Sequence, residues 1–275
     1  MINVCETRDV ALLRELLETD RAGGAYLLGD LEAPFFDKGT WFVATPPAGS
    51  AACAARTRAL AIVLVFEAFC VPTVLSFGDR DGVDAIVRRA ALPSDCYLKI
   101  PPEHEASFAA TFDIRERDVM KVMVLDRSDY RPSLDGHEVR RLDMTFPIDK
   151  ILEVYKSYPG HFFEPGQLAG GIYFGSFERE RLVAVAGTHV YSPSGRVAAV
   201  GNVVTASNAR GRGHGAACTG AVIEELHARG CDTIVLHVAA ANSPAQACYR
   251  RLGFHVHGPI LQLRAERSQG SGFPD

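Results

Sequence analysis

Residues 197–254 contain a strand, a glycine-rich turn and a helix in immediate succession. Val197–Thr205 is apolar and β-branched with no helical period, which predicts a strand. The turn that follows has three glycines between residues 211 and 215. Ala216–Arg229 carries an apolar stripe at helical spacing, which predicts a helix that Gly230 ends. This order places the open N-terminus of a helix directly after a buried strand.

The glycine turn predicts an anion site. The first N–H groups of a helix have no partners within the helix and lie at the positive end of its dipole, so they attract an anion. Glycines let the backbone approach that anion closely, and Arg210 and Arg212 add cationic donors. The spacing Gly211-x-Gly213-x-Gly215 matches neither a P-loop nor a dinucleotide-binding fingerprint. A phosphate or pyrophosphate group fits the turn, and a purely structural turn is the alternative.

A short capped helix is predicted one strand further along the chain. Thr233–Val238 has the composition of that strand. We expect Ser243 to be the N-cap of the helix, with Pro244 at the first helical position and Gln246 completing a capping box. Gly253 is expected to end the helix after about two turns.

These two segments together resemble the GNAT superfamily of acyl-CoA-dependent N-acyltransferases. Arg210-x-x-Gly213-x-Gly215 is similar to the family signature Gln/Arg-x-x-Gly-x-Gly/Ala, and residues 242–254 are similar to its second half-motif. The resemblance covers about residues 138–266. It implies a mixed sheet whose central strands splay apart to form a slot for the acyl-CoA. It also implies direct attack by an amine on the thioester within one ternary complex.

The first half of the chain predicts a second α/β region. Predicted strands and helices alternate there, and no further glycine–arginine turn occurs. The polar segment 126–137 has no periodicity and predicts a domain boundary. We therefore expect an α/β N-terminal domain over residues 1–133 and a GNAT-type domain over residues 134–275. This arrangement is similar to glycine N-acyltransferase-like proteins, and it suggests the hypothesis that the N-terminal domain is a degenerate GNAT-like copy.

Composition argues against several classes of protein. The 275 residues are 47% hydrophobic and 23% charged with a net charge of −4, which is typical of a soluble globular protein. Seven cysteines without a Cys-x-x-Cys pair predict neither a disulfide framework nor a metal site. The apolar stretch Ala59–Gly78 approaches the length of a membrane span, but Glu67 and Pro72 interrupt it. This favours two core strands over a spanning helix. We expect a cytoplasmic protein with no signal peptide, metal, membrane contact or nucleic-acid partner, and the oligomeric state stays open.

The resemblance implies the residues that hold the donor, which we take as acetyl-CoA. The pyrophosphate would lie on the backbone of the glycine turn, with His214 as a further hydrogen-bond donor to it. The pantetheine arm would pair with the preceding strand. Asn242 matches the family's pantetheine-contacting asparagine, although asparagine is also common in turns. The expected donor-binding residues are Val203, Val204, Thr205, Arg210, Gly211, Arg212, Gly213, His214, Gly215, Ala216, Asn242 and Tyr249.

The resemblance also implies an acid, whereas the base has to be sought in the chain itself. Tyr249 matches the tyrosine that protonates the CoA thiolate, with core packing as its alternative role. Many GNAT members carry a glutamate on the strand before the glycine turn, where this chain has Gly201 and Asn202. We predict His189 as the base, because imidazole has an ordinary pKa of about 6.5. The alternatives are Glu164, His161 and a chain of water molecules.

The predicted function is acetyl transfer from acetyl-CoA to an amine, in a pocket that the N-terminal domain helps to shape. The missing strand glutamate leaves open a non-catalytic acyl-CoA-binding or sensor protein. Conjugation of a longer acyl group to an amino acid is a further alternative. Cys248 lies beside Tyr249 and is expected to be a buried thiol and not a nucleophile, since no group in the neighbouring sequence would lower its pKa.

Overall fold

A computed structural model describes residues 1–47, 58–68, 71–133, 136–159 and 163–268. The chain forms two compact units. One unit comprises Met1–Lys121 with Gly258–Asp275, and the other comprises Val122–His257. The polar segment that predicts a boundary at residues 133 and 134 lies inside the second unit, and an independent domain over residues 1–133 stays a prediction.

The first unit is a sheet with helices between its strands. Its own strands are β1 (Asn3–Glu6), β2 (Gly39–Thr45), β3 (Ala61–Phe66), β4 (Thr73–Gly78) and β5 (Asp95–Ile100). Its helices are α1 (Val10–Leu17), α2 (Ala25–Asp30), α3 (Arg80–Val87) and α4 (Glu105–Ala109). Strand β6 (Phe112–Asp126) belongs to this unit as far as Lys121, and the last strand of the chain, β12 (His255–Arg267), belongs to it from Gly258. The strand order is β1-β2-β3-β4-β5-β12, in which only β4 and β5 are parallel.

The second unit contains the predicted glycine turn. Its strands are β7 (Glu138–Leu142), β8 (Tyr173–Glu178), β9 (Arg181–Ser192), β10 (Val197–Thr205) and β11 (Thr233–Ala239), together with the end of β6. Its helices are α5 (Ile148–Tyr155), α6 (Gln167–Gly170), α7 (His214–Ala228) and α8 (Ser243–Arg251). The strand order is β6-β11-β10-β9-β8-β7. Strands β7 to β10 pair antiparallel in sequence, and β10 pairs parallel with β11.

Local sequence signals account for most of these elements. The side chain of Asp9 caps α1 by accepting from the N–H groups of Ala11 and Leu12, both at 3.0 Å. All six residues of β3 are buried, which explains the run of six apolar residues there. The predicted mixed α/β class is confirmed, and β10 has the predicted bounds.

The predicted capping of α8 is wrong. Asn242 and not Ser243 is the N-cap, because the Asn242 side chain accepts from the N–H of Ala245 at 3.1 Å. The Gln246 side chain does not complete a capping box. It donates instead to the carbonyl oxygens of Ala239 and Ala240, at 3.0 and 2.9 Å. The helix therefore begins one residue earlier than predicted, with the asparagine side chain satisfying its first turn.

The two halves of the chain present their elements in the same order. Residues 1–126 form a strand, two helices, three strands, a helix, a strand, a helix and a strand, and residues 138–267 repeat this order. In each half a parallel pair of strands flanks a helix, with α3 between β4 and β5 and α7 between β10 and β11. The halves differ before that helix. Asp79 alone separates β4 from α3, whereas residues 206–213 separate β10 from α7.

The apolar stretch Ala59–Gly78 is nearly as long as a membrane-spanning segment. Its described residues form β3 and β4. Among the residues that the structure describes, no helix has both the length and the apolar character needed to cross a membrane.

Candidate functional site

Strands β10 and β11 pair along only part of their length. Their parallel register ends where Val200 meets Leu236, although both strands continue beyond that point. On its other side β10 stays paired with β9, with a register shift between Gly201 and Val204. Among the described residues, the β11-facing edge of β10 from residue 201 to residue 205 therefore has no strand partner. Beyond Val200 the two strands no longer pair, and we call the space beside this unpaired edge of β10 the opening.

Asn202 lies at the register shift, with its backbone in the left-handed region. Its φ is +52°, a conformation that asparagine tolerates better than most residues. The hydroxyl of Tyr155 donates to the Asn202 carbonyl oxygen at 2.7 Å. The Asn202 side-chain nitrogen donates to the Tyr173 hydroxyl at 2.8 Å and to Oε1 of Gln167 at 2.9 Å. These contacts, from α5, α6 and β8, hold the distorted strand in place.

His189, the predicted base, lies beside this distortion. Its Nε2 is 3.2 Å from Oδ1 of Asn202, and its ring is half-buried. The ring lies against the backbone of Gly201, because a Cβ at that position would be only 2.3 Å from Cε1 of His189. Gly201 therefore provides the space that the imidazole occupies. The structure thus brings His189 to the place where β10 leaves β11.

The N-terminus of α7 is open, as the glycine turn predicts. Gly213 is the N-cap, with φ of +89°, which a residue with a side chain would adopt only under strain. No side chain caps the helix, and its first turn contains no acidic residue. The N–H groups of His214, Gly215 and Ala216 therefore lack a capping side chain, which is the arrangement that favours an anion.

The two arginines of the turn lie at its surface. Arg210 donates to the carbonyl oxygens of Thr205 and Ser157, at 3.2 and 2.9 Å. Arg212 forms an ion pair with Glu178 at 2.8 Å and donates to the carbonyl oxygen of Asn208 at 2.9 Å. Both side chains are exposed, so reorienting toward a bound phosphate would cost each arginine only surface contacts.

The imidazole of His214 does not lie on the open face of the turn. It is only 3% exposed, with Nδ1 at 2.9 Å from the Ser176 hydroxyl and Nε2 at 2.6 Å from Oε1 of Glu178. The hydrogen bond with His214 lowers the pKa of Glu178, so this carboxylate is ionised and accepts from the ring. The expected donation from this ring to a phosphate has no support in this geometry, because both nitrogens already have protein partners. The backbone N–H of His214, in contrast to its ring, lies at the start of α7, where no side chain caps the helix.

Tyr249 and its neighbours on α8 differ in their surroundings. The Tyr249 ring is buried and lies edge-on to Phe254, with 6.0 Å between centroids. Burial raises the pKa of its hydroxyl above the ordinary range, so the group is protonated at neutral pH. Burial likewise raises the pKa of the Cys248 thiol, which disfavours the thiolate that a nucleophile needs. Asn242 is exposed at the start of the helix.

Sequence reasoning missed three side chains of the network around Asn202: Gln167, Tyr173 and Tyr155. No local pattern distinguishes them, because their contacts with Asn202 span 29 to 47 residues of sequence. Of the alternative bases, Glu164 has an exposed side chain, and its backbone N–H donates to Oε1 of Gln167 at 3.0 Å. His161 lies outside the described residues.

His255 has acidic neighbours that its sequence context does not suggest. A ligand atom from each of Asp126, Asp129 and His255 lies within 4.8 Å of the others, and all three residues are exposed. Exposed carboxylates often approach one another without an ion, so this group alone does not indicate a metal site. The absence of a metal stays a prediction.

Most of the second unit is similar in sequence to a known protein family. Residues 138–254 match the acetyltransferase (GNAT) family. Mycothiol acetyltransferase of Corynebacterium jeikeium is 46% identical to this chain over 54 residues, which are 20% of this chain and 16% of that protein. The chain thus spans a small part of the curated relative that it matches.

Solved structures extend the likeness of fold over most of the chain. A GNAT-family protein from Novosphingobium aromaticivorans is similar with a TM-score of 0.55 and 19% identity, over 75% of this chain and 89% of that one. A tandem GNAT protein from the clavulanic acid biosynthesis pathway is similar over all of both chains, with a TM-score of 0.53 and 12% identity. At these identities the likeness concerns the fold alone.

Proposed function

We propose that this protein is an N-acetyltransferase that transfers an acetyl group from acetyl-CoA to an amine. The premise is that residues 138–254 belong to the acetyltransferase (GNAT) family. The observation that carries the proposal is the combination of two features in one unit. Strand β10 leaves β11 after Val200, and the helix between these two strands begins without a capping side chain. The first feature suits an extended amide-containing arm, and the second suits a phosphate.

The donor would lie along the opening and end at the glycine turn. The pantetheine amides would pair with the unpaired edge of β10 at Val203, Val204 and Thr205 as an added strand does. The pyrophosphate would accept hydrogen bonds from the first N–H groups of α7, where the helix dipole also favours negative charge. Arg210 and Arg212 would turn from their surface contacts to the phosphate oxygens, with charge-assisted hydrogen bonds.

The transfer requires an amine that has lost its proton. The amine lone pair forms the C–N bond at the thioester carbon, and His189 accepts the proton that the amine releases. The carbonyl carbon becomes tetrahedral, and backbone N–H groups at the unpaired edge of β10 would stabilise the oxyanion. No enzyme nucleophile is needed, because binding both substrates side by side supplies much of the acceleration.

Collapse of the intermediate breaks the C–S bond and leaves the electron pair on sulfur. Tyr249, which is protonated before the reaction, donates a hydrogen bond to the departing thiolate and then its proton. Solvent takes the proton from His189 and returns one to the tyrosine, so that the enzyme is regenerated and the products are the acetylated amine and CoA. Cys248 has no part in this scheme, since burial keeps it in the thiol form.

A second candidate function rests on Asn202. This residue lies on β10 near the position where many GNAT members carry a glutamate, and its amide cannot accept a proton. A non-catalytic acyl-CoA sensor would use the same opening and the same glycine turn but would not turn over. The two candidates differ in acetyl transfer and not in binding of acetyl-CoA.

Calorimetric titration with acetyl-CoA, CoA and a longer acyl-CoA tests the shared part of both candidates. We expect binding at micromolar strength to the wild type and none to Gly213→Glu, because the glutamate would place bulk and negative charge where we propose that the pyrophosphate lies. Gly230→Glu is the matched control. Gly230 has φ of +86° at the other end of α7, with nothing near its Cβ position, so it adds the same charge with similar strain.

Equal affinity of wild type and Gly213→Glu would remove the glycine turn from the site. Where binding is found, a thiol-release assay with a panel of amines separates the enzyme from the sensor. Release of CoA that depends on an added amine supports the transferase. Binding without any amine-dependent release supports the sensor.

A further inference from the structure

We infer that Gln167 is a positioning residue that acts through Asn202 to hold the neutral His189 ring in one tautomer, with hydrogen on Nε2 and the lone pair on Nδ1. Its catalytic meaning rests on the proposed function, in which His189 is the base. The tautomer itself can be measured without substrate, so this inference and the proposed function can fail separately.

The orientation of the Gln167 side chain follows from a backbone contact. The N–H of Glu164 donates to the Gln167 side chain at 3.0 Å. A backbone N–H can only donate a hydrogen bond, so the side-chain atom that faces it is the oxygen and not the nitrogen. Oε1 of Gln167 is thereby fixed as an acceptor that points toward β10.

The orientation of Asn202 follows from that of Gln167. The Asn202 atom that lies 2.9 Å from this oxygen has to be a donor, and it is therefore Nδ2. The same nitrogen lies 2.8 Å from the Tyr173 hydroxyl. That hydroxyl has two acceptors for its own hydrogen, the Thr188 carbonyl oxygen at 3.2 Å and Oε1 of Gln167 at 3.3 Å, so it accepts from Asn202. Both hydrogens of Nδ2 are used, and Oδ1 is the atom that faces His189.

The orientation of Asn202 in turn sets the tautomer of His189. Nε2 lies 3.2 Å from Oδ1 of Asn202, and an amide oxygen can only accept. Nε2 therefore carries hydrogen. Because neutral imidazole has one N–H, its lone pair is on Nδ1, and in the proposed function this is the nitrogen that would take the proton from the amine.

Packing alone would not choose this orientation. The oxygen and nitrogen of an amide have nearly the same size, so Asn202 could rotate its amide by half a turn without a new clash. Nδ2 would then face His189, Nε2 would accept, and the hydrogen would move to Nδ1. The backbone of Asn202 is held separately by the Tyr155 hydroxyl at 2.7 Å. Loss of Gln167 would leave the amide beside the Tyr173 hydroxyl, which can donate to Oδ1 as well as accept from Nδ2, and would leave the strand in place.

The test uses protein labelled with ¹⁵N at its histidines and long-range ¹H–¹⁵N NMR, which distinguishes the two neutral tautomers. Spectra are recorded at about pH 8.5, where an imidazole with an ordinary pKa of about 6.5 is neutral, and His189→Gln assigns the signal. Three variants are compared with the wild type. Gln167→Met removes the acceptor and Gln167→Glu keeps an acceptor oxygen. Tyr173→Phe removes the other partner of Nδ2, together with the contacts of that hydroxyl with Oε1 of Gln167 and the Thr188 carbonyl oxygen.

We expect hydrogen on Nε2 in the wild type, in Gln167→Glu and in Tyr173→Phe, and a shift toward hydrogen on Nδ1 in Gln167→Met. Hydrogen on Nδ1 in the wild type would overturn the inference, and this measurement needs no variant to fold. A Gln167→Met spectrum identical to that of the wild type would also overturn it.

Kinetics supply the readout that a purely structural role would not produce. In Gln167→Met we expect kcat to fall roughly 100-fold, the lower end of what a positioned acid–base group contributes, with unchanged affinity for acetyl-CoA. Gln167→Glu is expected to restore kcat. A tautomer shift in a protein that transfers no acetyl group would refute the proposed function and leave the positioning role of Gln167 intact.

Discussion

Replacing Gly201 by alanine is expected to displace the imidazole of His189. The added Cβ would lie 2.3 Å from Cε1, 2.4 Å from Nε2 and 2.5 Å from Cδ2 of that ring. Ordinary contacts begin at 3.4 Å, so the ring has to move by about 1.1 Å. A shift of this size breaks the 3.2 Å contact with Asn202. Because a misplacement of about 1 Å can cost about 100-fold in rate, we expect kcat to fall by roughly that factor.

The assay is amine-dependent release of CoA, followed as free thiol, with calorimetric affinity for acetyl-CoA measured in parallel. Affinity is expected to stay close to that of the wild type, because the alanine does not approach the glycine turn. Gly170→Ala is the matched control, since nothing lies within 4 Å of its Cβ position and alanine favours the helix in which it lies. Its kcat should equal that of the wild type.

A double variant shows whether the loss passes through the ring. If alanine at position 201 acts by displacing His189, adding Gly201→Ala to His189→Gln should lower kcat no further. A Gly201→Ala enzyme within about twofold of wild-type kcat would refute the reasoning, because the ring would then be either mobile or unnecessary. Equal additional losses in both backgrounds would refute it too.

Three further predictions concern the acid, the first unit and its buried charge. Tyr249→Phe should lower kcat with little change in affinity for acetyl-CoA, and an unaltered rate would return Tyr249 to a packing role. Titration should saturate at one acetyl-CoA per chain, because the Asp79 carboxylate already accepts from the Gly82 N–H at 2.9 Å at the start of α3; a second equivalent would refute this. Burial raises the pKa of Asp30 from 3.8 to about 8, partly offset by Lys99. The folded state then binds more protons than the unfolded state, so this carboxyl costs stability as the pH rises from about 4 to about 8. Asp30→Asn should therefore gain in thermal midpoint over the wild type across that window, and a pH-independent difference would contradict the assignment.

Local patterns were sufficient for the frame of the second unit. The residues of β10 show no helical period, and the three glycines of the turn follow the strand. Its bounds therefore follow from residues that are neighbours in sequence. The open N-terminus of α7 follows in the same way, because Gly213 supplies the positive φ and no capping side chain precedes the helix. The same local reasoning predicts Ser243 as the N-cap of α8, whereas in the structure the neighbouring Asn242 is the N-cap.

Local sequence predicts an open helix N-terminus after a buried strand, and with it an anion site, because helix ends, glycines and β-branched residues act over a few positions. Only the tertiary structure decided what surrounds that strand. Gln167 and Tyr173 reach Asn202 across 35 and 29 residues, and Glu178 draws the His214 ring away from the turn across 36 residues. Hydrogen bonds of this kind depend on how strands pair and helices pack, and no local periodicity records them.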